Sequence, residues 1–151
     1  MFTTTRSAIA AVTLTLGVTA GVITTAQSSS PTIVVYKTPT CGCCSKWVEH
    51  LQANGFTVMA QNRDDLTPIR KQNGVPPAVT ACHTALVGSY VVEGHVPAAD
   101  VKKLLADKPA VKGIAVPGMP LGSPGMESPN PQKYDTLAFT ADGKTSVFAR
   151  H

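Results

Sequence analysis

Three of the four cysteines in this 151-residue chain stand within four positions, Cys41-Gly42-Cys43-Cys44. Cys41 and Cys44 have the two-residue spacer of redox dithiols, and thiolate is the form that attacks disulfides and binds soft metals. Cys43 changes the reading. Dithiol exchange has no need of a third sulfur, which would offer a competing partner. Three thiolates at one point suit Cu(I), which takes soft donors at low coordination number, and bridging thiolates can hold more than one ion. Two other uses stay open at this stage: thiol–disulfide chemistry by Cys41 and Cys44 with a spare thiol, and structural pairing.

Further donors lie downstream. Cys82-His83 and Gly94-His95 supply one sulfur and two imidazoles, and a Pro-Gly-Met unit occurs twice, seven residues apart, ending in Met119 and Met126. Methionine in a Pro/Gly loop is not at helical spacing, so core filling explains it less well than usual. A thioether is a neutral soft donor that persists in oxidising compartments, and it is a poor zinc ligand. His50 falls on a helix as a surface or packing residue, and His151 is terminal.

The elements that must position these residues follow from pattern. Ile33 to Tyr36 reads as a buried strand, and Trp47, Val48 and Leu51 recur at helical spacing until Asn54-Gly55. Phe56 to Ala60 is a second strand with Met59 in the core, and Asp64-Asp65 opens a helix to about Gln72. Thr84 to Val87 and Tyr90 to Glu93 flank Gly88-Ser89 as a hairpin. Pro97 starts a helix to about Ala106, with Val101, Leu104 and Leu105 facing the core. Strand, helix, strand, helix, hairpin, helix is an α/β order of thioredoxin-like type. In such a layout Cys41 to Cys44 sit at a helix N-terminus, whose free N–H groups favour thiolate. Counting back from Gly88 puts Cys82-His83 on the loop facing them, and the hairpin returns His95 to the same end.

Residues 113–131 hold four Gly and five Pro, and no periodic element is expected there. Tyr134 to Phe139 and Thr145 to Phe148, around Asp142-Gly143, suggest a terminal β-hairpin. The expected organisation is a signal peptide over 1–26, a flexible leader over 27–32, a thioredoxin-like domain over 33–112 and a C-terminal extension over 113–151 that contributes to the metal site. The leader reading rests on Arg6, an uncharged apolar and Thr-rich run after it, and small residues at Ala20 and Ala26. At about 17 residues, diluted by Thr and Gly, that run makes a poor membrane anchor. Its removal leaves 12 basic against 9 acidic side chains, scattered and with few aromatics, which gives a nucleic-acid surface little support.

Four blocks in order resemble the CopG-like family of Gram-negative copper-resistance proteins, thioredoxin-fold proteins with a Cys-x-Cys-Cys motif. They are Thr40 to Cys44, Ala81 to Thr84, Glu93 to Pro97, and Ala115 to Pro120 continuing through Gly122 to Glu127. The resemblance implies a periplasmic protein whose cysteines bridge a multinuclear copper cluster. It also implies interconversion of Cu(I) and Cu(II) beside an efflux system. The expected metal ligands are Cys41, Cys43, Cys44, Cys82, His83, His95, Met119 and Met126, with Cys41, Cys43 and Cys44 redox-active. A monomer without nucleic acid or stable membrane anchor is expected, with copper ions and an efflux system or other copper carrier as partners. Thiol–disulfide oxidoreductase and passive copper store remain the alternatives.

Overall fold

The computed structural model describes residues 31–151, so the expected signal peptide lies outside the described residues. Seven strands form one mixed sheet. They are β1 (Ile33–Lys37), β2 (Val58–Asn62), β3 (Thr84–Val87), β4 (Tyr90–Gly94), β5 (Gly113–Val116), β6 (Asp135–Phe139) and β7 (Thr145–Arg150). The helices are α1 (Gly42–Ala53), α2 (Thr67–Gln72) and α3 (Ala98–Asp107). No described helix is long and apolar enough to cross a membrane.

The sheet order is β2-β1-β3-β4-β5-β6-β7. Crossovers through α1 and α3 make β1 parallel to β2 and β4 parallel to β5, and the remaining neighbours are antiparallel. Alternation along the strands splits the apolar side chains between two faces. Ile33, Val35, Ala85, Val87, Val92, Ile114 and Val116 pack with Trp47 and Leu51 of α1 and Val101 and Leu104 of α3. Their neighbours Val91, Ala115 and Phe139 pack on the other face with Val75 and Val79.

Each helix is held at its start by a particular group. Asp65 Oδ1 accepts the Thr67 N–H at 2.8 Å before α2. His50 Nε2 accepts the Ala98 N–H at 3.0 Å, so the residue read as surface or packing ties α1 to the first turn of α3. Trp47 Nε1 donates to the Val96 carbonyl at 2.8 Å, which keeps its polar edge satisfied inside the core.

Two expectations are corrected. Met59 is 56% exposed rather than in the core, because β2 is an edge strand with little cover on that side. Within 113–131, where no periodic element was expected, Gly113-Ile114-Ala115-Val116 forms β5, buried along its whole length. Four small and β-branched residues suffice for a strand inserted between β4 and β6, and the Gly and Pro that follow hid them. Gly113 leaves no room for a side chain there, since a Cβ would stand 2.1 Å from the Val91 carbonyl.

The contrast between edge and core is measurable. Leu51→Ala is expected to destabilise the metal-free protein by about 2–5 kcal/mol. Met59→Gln should change stability by about 0.5 kcal/mol or less. Urea unfolding of the two variants checks both.

Candidate metal centre

Sheet register determines what meets at one end. Tyr36 pairs with Thr84, Thr84 with Glu93, and Gly94 with Val116. The segments that leave these positions (the loop to Cys41, the approach through Cys82-His83, His95, and the chain from Pro117) therefore emerge side by side.

Cys41 is the N-cap of α1, and its Sγ accepts the Cys44 N–H at 3.3 Å. Cys41 and Cys44 are joined as a disulfide with Cα atoms 5.3 Å apart, which answers a question the sequence left open. Cys43 and Cys82 are free thiols. Cys43 Sγ lies 3.5 Å from Cys41 Sγ, and Cys44 Sγ lies 4.0 Å from the Cys82 carbonyl oxygen. All four sulfurs stand within 4.8 Å of one another.

Cys82 belongs to a second group with His83 and His95, whose donor atoms also lie within 4.8 Å of one another. Its Sγ is 2.9 Å from His95 Nε2 and 3.3 Å from His83 Nδ1. His95 Nδ1 is 2.7 Å from the Pro124 carbonyl. A carbonyl oxygen can only accept, so Nδ1 carries the proton and Nε2 turns a lone pair toward Cys82. Backbone carbonyls fix the tautomer of metal-binding histidines in this way.

Burial keeps the group neutral. It lowers the pKa of His95, and it pushes the Cys82 thiol up to about 12, with Cys43 adding to the rise. Cys82 therefore rests as a thiol donating to His95 Nε2. Its one S–H being used, contact with His83 requires His83 Nδ1 to donate. His83 is fully buried, edge-on to His95 with ring centroids 5.1 Å apart and tilted on Trp47 at 4.3 Å. Burial, with His95 beside it, lowers its pKa to about 3. Its Nε2 has no hydrogen-bond partner among the described residues. Such a group costs on the order of 1–3 kcal/mol.

The structure thus brings together Cys41, Cys43, Cys44, Cys82, His83 and His95. The methionines are disposed differently. Gly125, of the second Pro-Gly-Met unit, has φ +86° and lies on the cysteine loop, where a Cβ would stand 2.6 Å from the Cys43 carbonyl and 3.2 Å from His95 Nδ1. Met126 follows it directly and is partly buried, whereas Met119 is 50% exposed on the first unit. Arg70 and Glu93, which sequence reasoning did not assign to the site, bond to each other and to the backbone beside Cys82. His151, read only as terminal, lies 2.9 Å from a carboxylate oxygen of the buried Asp100.

The donor set fits a soft cation. It combines sulfur atoms in mutual reach, neutral imidazoles, an oriented lone pair and an orphaned buried nitrogen. The molecule is a mixed α/β protein with the makings of a metal centre. Residues 79–126, which carry Cys82, His83, His95 and both Pro-Gly-Met units, match the family described as a protein of unknown function, DUF411. No curated protein matches the chain. Two solved structures, forms 1 and 2 of a copper resistance protein CopG, are each 42% identical to it with a TM-score of 0.76. Each match covers 81% of this chain and 98% of the other. The chain belongs to the CopG family of copper resistance proteins.

The resting state of Cys82 has a direct consequence. In the metal-free, disulfide-closed protein near neutral pH, iodoacetamide should modify Cys82 at least about ten-fold more slowly than an unhindered thiol of ordinary pKa. The rate should climb as pH rises toward 12, because only thiolate reacts. Peptide mass analysis after timed alkylation reads this out, and rapid neutral-pH labelling of Cys82 would contradict the assignment.

Proposed function

We propose that this chain is an exported copper-handling protein. Its thioredoxin-like domain and C-terminal extension hold copper in a cysteine-bridged cluster and interconvert Cu(I) and Cu(II). The observation that carries the reading is the meeting of four sulfurs and two neutral imidazoles at one sheet end, with Cys82 common to both groups. The kinship with CopG supports copper as the cargo. Cys41, Cys43, Cys44 and Cys82 supply thiolates, His83 and His95 supply imidazole nitrogens, and Met119 and Met126 add thioethers. The periplasm is the proposed location, a copper efflux system or carrier the proposed partner, and a monomer the working state.

The residues suggest how electrons move. With the disulfide reduced, the Cys41 and Cys44 thiolates each give one electron to a Cu(II). The S–S bond then forms and two Cu(I) result, so charge and electrons balance. Cys43 and Cys82 remain as thiolates for the cuprous product, their protons passing to solvent. Loss of the Cys82 S–H proton to solvent frees the His95 Nε2 lone pair, which receives that hydrogen at rest, for the cuprous ion.

Two measurements test this. Reduced protein should bind more than one Cu(I) per chain. Cys43→Ser and Cys82→Ser should each lower that number or weaken binding by about ten-fold or more against a Cu(I) chelator. Unchanged copper content in both would defeat the reading. Adding Cu(II) to the reduced chain should bleach its paramagnetic signal as Cys41 and Cys44 thiols disappear, one thiol per ion.

The Cys41–Cys44 disulfide favours one second reading, a thiol–disulfide oxidoreductase. That reading expects copper-free protein to turn over a disulfide substrate and Cys43→Ser to leave the rate intact. An inert apo-protein removes it.

A further inference from the structure

Cys82 and His83 sit on an irregular stretch between the turn at Pro77–Val79 and the start of β3. Ala81, immediately before Cys82, is held instead by side chains. Its N–H donates to Glu93 Oε1 at 2.9 Å, and its carbonyl accepts from an Arg70 Nη. Arg70 Nε donates to the same Glu93 oxygen at 2.9 Å and lies 3.2 Å from Thr84 Oγ1. One ion pair therefore grips the residue before Cys82 and the residue after His83. A planar guanidinium can reach three acceptors at fixed angles, and an ammonium cannot match that fork.

The pair is a poor stabilising device. Glu93 is fully buried and its Oε2 has no hydrogen-bond partner among the described residues. Taking a carboxylate from water and satisfying one of its oxygens returns less than a well-packed apolar pair would. Gly94 extends the same construction. It has φ +73°, and a Cβ would stand 2.6 Å from both Ala81 Cβ and the Val116 carbonyl, so the glycine lets the clamped segment lie close to the turn that carries His95. Its N–H donates to the His83 carbonyl at 3.0 Å.

We infer that Arg70 and Glu93 are positioning residues of the metal centre. By bracketing Cys82-His83 through Ala81 and Thr84, the ion pair sets where the Cys82 sulfur and the His83 ring stand relative to Cys41, Cys43, Cys44 and His95. Neither residue is a ligand. The inference rests on the copper-binding reading, and its test is arranged so that the two can fail separately.

The experiment uses the full mature chain and Arg70→Lys, Glu93→Gln and, as a control at an exposed ion pair, Lys103→Ala. Bound Cu(I) is counted and its retention measured against bathocuproine disulfonate, with the sulfur-to-copper absorption bands and far-UV circular dichroism recorded on the same samples. Alkylation of Cys82 near neutral pH is followed in metal-free protein. Folded Arg70→Lys and Glu93→Gln should hold Cu(I) about ten-fold more weakly or in smaller number, with altered bands, and expose Cys82 to alkylation about ten-fold faster. Lys103→Ala should match wild type throughout. Wild-type copper content, retention, spectrum and Cys82 rate in folded clamp variants would overturn the inference. Should Glu93→Gln fail to fold, Arg70→Lys, which keeps the charge and removes the fork, decides. If wild type itself bound no copper, the functional reading would fall, and the alkylation arm would still judge the clamp.

Discussion

Side chains separated by dozens of residues meet because four strand ends are in register. Tyr36, Thr84, Glu93 and Gly94, and Val116 lie across one line of the sheet, so every segment that leaves that line enters the same small volume. A slip of one residue in β3 would turn Thr84 to the other face and carry Cys82 with it. The packing of Ala85 and Val87 against Trp47 and Leu51 is therefore also what aims the cysteine. Core and site are specified by the same alternation.

The site is costly to assemble. His83 lies fully buried with a nitrogen unpartnered, and Glu93 with an oxygen unpartnered. The helix start that gathers Cys41, Cys43 and Cys44 brings three sulfurs into close quarters, where thiolates repel. Burial answers by keeping Cys82, His83 and His95 neutral. The cost that remains is the buried His83 nitrogen, a neutral donor atom with no partner among the described residues.

Much of this arrangement was legible in the sequence. The Cys41 to Cys44 loop before an amphipathic helix, and the distance from Cys82 to the Gly88 turn, place the sulfurs with elementary counting. β5 was not legible, since its Gly-Ile-Ala-Val is too short to show a period and runs straight into Pro and Gly. Met59 was misjudged because alternation marks a face without telling whether anything covers it. Arg70 and Glu93 escaped for another reason. Arg70 sits on a six-residue helix where a charge looks solvated, and Glu93 was read as the end of a hairpin. The one signal was a carboxylate directly after Val91 and Val92, in a short strand that ends at Gly94. Pairing across 23 residues has no sequence period, so it emerges only from three-dimensional placement.

The segment from Ser123 to Glu127 touches the centre twice, through Gly125 on the Cys43 carbonyl and through the Pro124 carbonyl on His95. These contacts have different characters, one steric and one protonic, yet they are carried by adjacent residues. Displacing the segment would remove the contact on the Cys43 carbonyl and, in the same stroke, free the imidazole to turn or to exchange which nitrogen bears hydrogen. The cover over Cys43 and the placing of the proton on His95 are thus not independent in this molecule, because one short segment carries both contacts.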